Sequence, residues 1–485
     1  MPNQLSNIKY IVQLMLENRS FDQMLGFLYA GNGNQSPSGM PFNGLTGQEW
    51  NPDDAGNKVL VYKIQATDDH PYLMPGADPG EGFQNTNMQL FSTTNPTPGA
   101  IADNMGFVKN FSAAIASDTA KHYGDTLPGT SATEIMAMYT PELLPIMSGL
   151  AKGYAVCDAW FASAPTQTIP NRAFAGAGTS QGHLDNHVKI FTCPSIFGRL
   201  SDAGEDWAIY GYSSDPLTHH DFPDTQNADE SHFGQFSDFA ARAAAGNLPA
   251  YTFLEPSWDA SGNSQHPNYN VAAGEQLIHD VYYALRANPE AWQSTLLIIT
   301  YDEHGGNYDH VAPPTDATPP GDGTVGEWGF DFTRFGVRVP ALLISPLIAA
   351  GTVFRSANGH IDHTSVLKTI SERWNTAPLT NRDKAAASLG DVLTLATART
   401  DDPLAGVAVP VSNATHPNLS KPSLIDLIHA ARIANLPIRN RYGYYEATPP
   451  ALPTSSSEIG EFIRDRGTAW SKEVQENKKA RKDVK

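Results

Sequence analysis

The chain has 485 residues, 40% hydrophobic and 17% charged, which is enough apolar material for a large core and too much for a disordered polypeptide. A formal charge of −19 excludes non-specific attraction to nucleic acid or an anionic membrane, and a phosphate-bearing substrate then needs a local cation or converging donors to be held. Two cysteines, Cys157 and Cys193, form no disulfide framework and lack the spacing of zinc ligands.

Residues 1–10 contain neither a basic stretch nor a small-residue cleavage site, and no apolar run is long enough to span a bilayer. These features predict no signal peptide and no transmembrane segment, hence a cytoplasmic chain or one exported without an N-terminal signal. Apolar runs of strand length stand at 10–16, 154–161, 207–212, 251–254, 295–301 and 339–344. Helical patterns lie between and after them at 134–152, interrupted by Pro141 and Pro145, and at 236–245, 274–286, 363–374 and 424–434. Continuously apolar strands alternating with helices predict an α/β fold with a mainly parallel sheet. Stretches 31–98, 213–232 and 313–326 are rich in Gly, Pro, Asn and Asp, and they read as long loops around a site. One catalytic unit over 1–435 is expected, with insertions, followed by an extension or tail over 436–485 whose charged end is solvated.

The chemistry concentrates at strand ends. Glu17-Asn18-Arg19-Ser20-Phe21-Asp22 follows the first apolar run directly, at the carboxyl end where open α/β sheets bind ligands, although Asn18 or Ser20 also suits a helix cap. In Thr166-Gln167-Thr168-Ile169-Pro170-Asn171-Arg172, Pro170 suits the start of a helix, which leaves Thr168 near an N-terminus that attracts phosphate. An ordinary cap is the plainer reading of that segment taken alone. Gly178-Thr179-Ser180-Gln181-Gly182 matches a nucleophile elbow, but no apolar strand precedes it and no helix pattern follows, so a serine esterase using Ser180 is the distant alternative.

His219-His220 form a loop pair, and His266 stands in Gln265-His266-Pro267-Asn268. Asp302-Glu303-His304-Gly305-Gly306-Asn307-Tyr308-Asp309-His310 follows the strand at 295–301 and combines oxygen ligands for a hard cation, imidazoles for proton transfer and a diglycine that permits close approach. His360, Asp362 and His363 read as the capped start of the helix at 363–374.

Taken together in this order, Glu-Asn-Arg-Ser-Phe-Asp, Thr-x-Pro-Asn-Arg, His266-Pro267 and the Asp302 to Pro314 block resemble the phosphoesterase family of bacterial and plant non-specific phospholipases C and acid phosphatases. The resemblance implies an alkaline-phosphatase-like three-layer α/β/α sandwich. It also implies one divalent cation held by Glu17, Asn18, Asp302, Glu303 and the oxygen of the nucleophile, which Thr168 matches. A threonine there tilts the expected substrate towards phospholipid diesters of the phosphatidylcholine kind, reached by transient membrane-surface contact and cleaved through a phosphothreonine. An acid phosphatase acting on monoesters is the alternative.

The resemblance assigns His266 a contact with the phosphoryl group and suggests His219 and His220 as further pocket histidines. Asn171 or Arg172 is expected to steady the phosphate, and His310 or His304 to protonate the leaving alcohol, with Asp309 orienting its neighbouring histidine. One departure stands out: relatives carry Asp-Pro-x-His where this chain reads Asp78-Pro79-Gly80-Glu81, so either a carboxylate replaces an imidazole near the substrate or His70 substitutes.

Overall fold

A computed structural model describes residues 3–121, 124–187, 191–212, 215–439, 444–446 and 448–482. Its centre is an eight-stranded sheet of β1 (Tyr10–Leu16), β2 (Ala155–Val156), β3 (Trp207–Gly211), β4 (Phe233–Gln235), β5 (Tyr251–Leu254), β6 (Thr295–Tyr301), β7 (Ala341–Ile344) and β8 (Thr352–Val353). The spatial order is β8-β2-β7-β6-β1-β5-β3-β4, parallel throughout except that β7 runs against both β6 and β2.

The helices, in chain order, are α1 (Phe21–Leu25), α2 (Phe83–Phe91), α3 (Phe107–Lys121), α4 (Pro145–Gly153), α5 (Thr168–Ala177), α6 (Ile196–Ala203), α7 (Phe236–Ala245), α8 (Val271–Arg286), α9 (Thr364–Trp374), α10 (Leu424–Ala434) and α11 (Ser456–Lys482), with shorter turns between. Helices α4, α7 and α8 pack together, as do α5, α6 and α9, which makes the expected α/β/α sandwich. Strands covered on both faces cannot alternate polar and apolar residues, and β1 and β6 are apolar almost throughout. The one polar side chain inside β1, Gln13, accepts the Tyr251 hydroxyl at 2.8 Å.

Several sequence expectations need correction. The pattern at 134–152 is not one helix: a turn at Ala132–Met136 and a short strand at Ala137–Met138 precede α4, which begins at Pro145 because proline fits a first helical position and disrupts an interior one. The run 154–161 divides into β2 and Trp160–Phe161, and the latter pairs with Ile361–Asp362 outside the main sheet. Within 31–98, expected as loop, lie α2 and a hairpin of Trp50–Pro52 with Lys58–Leu60. Beyond residue 436, in the expected extension, α11 buries Ile459, Ile463 and Trp470.

Candidate active site

Strands β1 and β6 are adjacent and parallel, with Leu16 opposite Tyr301, so Glu17-Asn18 and Asp302-Glu303 emerge side by side. The Asn18 backbone is left-handed, with φ 56°, a conformation asparagine tolerates better than most residues. Asn18 N donates to Asp302 Oδ1 at 3.0 Å, and its carbonyl accepts from Asn307 Nδ2 at 3.1 Å. Gly305, with φ 61°, is required here, because a Cβ on it would stand 2.0 Å from the Asn18 oxygen. The diglycine therefore lets the two strand-end loops touch.

Helix α5 enters from the opposite side. Gln167 precedes it, Thr168 is its first residue, and every residue from Thr168 to Ala177 is buried. The Thr168 hydroxyl donates to Asn18 Oδ1 at 3.2 Å. One turn on, Arg172 Nε donates to Asp302 Oδ2 at 3.0 Å and its Nη2 to the carbonyls of Met15 and Leu16, while Nη1 is buried without a partner. Glu81 approaches as a further carboxylate, accepting from Asn18 Nδ2 and, at 3.0 Å, from Gln167 Nε2.

Glu17, Glu81, Asp302 and Glu303 are all buried, and Arg172 pairs with one of them, Asp302. Both Glu17 carboxylate oxygens and Oε1 of Glu303 accept no hydrogen bond. Burial raises the Glu17 carboxyl to about 7, opposed by His266 and assisted by Asp302. Burial, then Asp78, raises Glu81 to about 8, and burial with Glu81 and Asp302 holds Glu303 well above the carboxylate range. Bare buried carboxylate oxygens are the donor set a hard divalent cation requires, so the residues fit such an ion.

Three carboxylate–histidine groups among the described residues hold ligand atoms within 4.8 Å of one another: Asp78–Glu81–His266, Asp22–Asp309–His310 and Asp215–His219–His220. Glu17, Asp302 and Glu303 are not gathered that tightly.

A cleft of about 160 Å³ opens over Glu17, Asn18 and Thr168, with His266 and Glu81 in its walls. His266 Nδ1 lies 3.0 Å from the Pro267 carbonyl, and Nε2 lies 3.9 Å from Asp78. Arg19, in the first motif, is structural: it donates to Gln23 and to the carbonyls of Met74, Gln265 and His266, so it anchors the loop that carries the cleft histidine. A segment from 416 to 425 closes the far wall through His416 and Lys421, with Trp258 and Tyr269 beside it, and none of these four was singled out from sequence. No local motif marks them, because they reach the cleft from separated loops.

The remaining expected residues lie elsewhere. His310 does not line the cleft; its Nδ1 is 2.6 Å from Asp22, whose other oxygen accepts from Arg338. Burial disfavours the His310 cation, yet Asp22 outweighs it and raises the pKa. Asp309 does not orient His310 as expected, since its carboxylate binds Arg338 Nε at 2.9 Å. His304 is buried behind the site with Nε2 on Gln89, and burial lowers it to about 3.

The Asn171 amide is consumed by the backbone of Ala164, Thr166 and Gln167. His219 and His220 share Asp215 and pack under Trp470, outside the cleft lining. His70 lines a different cavity, so it does not stand in for the histidine replaced by Glu81. His363, read as a helix start, also donates from Nε2 to the Asp302 carbonyl at 2.6 Å, with its Nδ1 accepting from Trp160. Ser180 follows helix α5, not a strand, and its hydroxyl is spent on the His183 carbonyl.

A model of the Phosphoesterase family matches residues 8–377. The chain is similar to non-specific phospholipase C6 of Arabidopsis thaliana, 36% identical over an aligned length of 433, with 85% of this chain and 77% of the plant protein covered. Non-specific phospholipase C3 of the same plant is 35% identical over 82% of this chain and 76% of its own. Phospholipase C A of Mycobacterium tuberculosis is 29% identical over 87% of this chain and 82% of its own.

Proposed function

The chain belongs to the Phosphoesterase family and is a phosphoric diester hydrolase of the phospholipase C type, and from that premise we propose that it cleaves phosphatidylcholine-like phospholipids through a phosphothreonine on Thr168. The observation that carries this reading is the Thr168 hydroxyl, set at a helix N-terminus beside Asn18 and a group of buried carboxylates with bare oxygens. Residues 1–435 are read as the catalytic unit and 436–485 as an extension.

Glu17, Asn18, Thr168, Asp302 and Glu303 would hold one divalent cation, which supplies Lewis acidity that lowers the pKa of a hydroxyl and offsets phosphate charge. Thr168 Oγ1 gives up its proton to solvent and attacks phosphorus in line with the diacylglycerol oxygen, forming the Oγ–P bond as the P–O bond to the alcohol breaks. With its Nδ1 proton held by the Pro267 carbonyl, His266 would act through Nε2, giving the leaving alcohol a proton when it enters the step as the imidazolium. Arg172 fixes Asp302 and offers its unpartnered Nη1 to charge developing in the site. Water then attacks the phosphothreonine, returns a proton to the base form of His266 and releases the phosphorylated head group.

The test is paired hydrolysis of a soluble choline phosphodiester and a phosphomonoester, with and without chelator. Diester turnover should exceed monoester turnover, fall to background on chelation, and be lost in Thr168→Ala with the fold intact by circular dichroism. A monoester rate far above the diester rate would instead establish the acid phosphatase reading.

A further inference from the structure

Beside the catalytic cleft lies a larger cavity of about 740 Å³ with a different character. Phe83, Phe91, Phe330 and Trp328 form much of its wall, and Ile101 stands at its rim. Its cation is Arg334, buried with its guanidinium 5.9, 4.8 and 5.8 Å from the ring centres of Phe83, Phe91 and Phe330. Arg334 Nη2 donates to Asn87 Oδ1, while Nε is buried with no hydrogen-bond partner. An aromatic wall with a guanidinium whose Nε has no hydrogen-bond partner suits an amphipathic group bearing both charges, because acyl groups cover the rings, a phosphate takes the donor and Asp331 in the same lining meets a cationic head group.

The rim is apolar as well. Ile101 and Trp328, which line it, are 91% and 58% exposed, and Val325, three positions before Trp328, is 80% exposed. Trp328 also has φ 53°, a backbone conformation bulky residues seldom adopt, and its ring stacks on Phe83 at 5.6 Å. Holding a large indole in water through an unfavourable backbone is costly unless the indole meets an interface, where tryptophan is at home.

This rim is tied to the cleft. Glu327 N donates to the Gly182 carbonyl at 2.9 Å, and Leu184 N donates to Glu327 at 3.0 Å. Asn186 of the same loop lines the catalytic cleft, and Phe83 follows the cleft residue Glu81 by two positions. Asp316, Asp322, Glu327 and Asp331 share the loop that bears Val325 and Trp328, so an anionic bilayer is repelled where a zwitterionic one is not.

We propose that this cavity and its rim are the surface by which the protein docks on a zwitterionic phospholipid bilayer, with Ile101, Val325 and Trp328 entering the interface and Arg334 meeting a lipid phosphate beside the cleft. The proposal rests on the phospholipase reading for its purpose but not for its readout. The test compares the full chain with the triple variant Ile101→Ser, Val325→Ser, Trp328→Asn, the last chosen because asparagine accepts a positive φ.

Sedimentation with phosphatidylcholine vesicles should fall by about tenfold or more in the variant, since each apolar side chain withdrawn from the interface loses much of its burial. Turnover of vesicle substrate should fall in parallel, while hydrolysis of a soluble choline phosphodiester stays as in the parent. Equal vesicle binding by parent and variant would overturn the proposal, as would equal binding of the parent to phosphatidylserine vesicles. Absence of soluble diester hydrolysis in both, with the difference in sedimentation retained, would remove the phospholipase reading and leave the docking surface standing.

Discussion

At the scale of single residues, each motif divides in two. Glu17 and Asn18 line the cleft and Asp302 and Glu303 are buried beside them, whereas Ser20, Asp22, Asp309 and His310 turn away. Ser20 caps α1, and Asp22 with Asp309 brackets the buried Arg338. Density of titratable residues thus marks the place, but only geometry separates cleft groups from braces. Glu17 and Glu81 yield a pH prediction. Burial lifts them from 4.5 to about 7 and about 8, so the folded chain takes up protons at these groups relative to the unfolded one.

Their contribution to stability is complete below about pH 4.5 and is lost as pH rises through about 7 to 8. A bound divalent cation favours the ionised forms and reverses that sign. Melting curves with chelator and with added divalent metal should therefore separate more widely at pH 8 than at pH 5. A constant gap would place the metal elsewhere.

At the scale of elements, the sandwich depends on contacts between distant segments that cap one another. Glu275, near the start of α8, reaches across to accept the N–H groups of Ile146 and Met147, the open first turn of α4, at 2.7 and 3.0 Å. Leu144 supplies no side-chain cap there, so Glu275 takes that role from another helix. Burial pushes its carboxyl up to about 8 despite the two donors. Glu275→Gln retains volume but turns one acceptor into an amide NH₂ facing an N–H. It should cost about 2 kcal/mol in urea unfolding, with soluble diester turnover unchanged. A cost below experimental error would show that water caps α4 equally well.

The boundaries missed from sequence share this cause. Helix α3 is only weakly amphipathic and is held by packing against α2 and the turn at Ala132–Met136. At 134–152 the interruptions Pro141 and Pro145 are legible in the sequence, but that the helix starts only at Pro145 is not.

At the scale of the whole molecule, the C-terminal part of the chain completes the structure. Residues 416–425 wall the cleft yet lie beyond the family match at 8–377. Helix α11 packs on α10, and Trp470 seals the Asp215–His219–His220 group, with its ring 5.6 and 5.2 Å from the two imidazoles. Gly467 allows the close approach, since a Cβ there would stand 2.7 Å from Asp215 Oδ2. Trp470→Ala should cost about 3 kcal/mol of stability and leave kcat/KM on a soluble diester within about twofold. A large loss of kcat/KM at full stability would instead bring the histidine pair into the reaction.

The alternation of apolar strands with helices determined the α/β class by itself, because buried parallel strands cannot be polar on either face. The abrupt charge after residues 16 and 301 placed a site at two strand ends, and its carboxylates called for a cation in a chain already acidic. Tertiary structure alone decided that His266 lines the cleft while His219, His220, His304 and His310 do not, that Asn171 is spent on its own loop, and that Glu81 joins the carboxylates. It also decided that the last helix is part of the body. These outcomes depend on register, burial and contacts between residues hundreds of positions apart, and no local pattern encodes such distances.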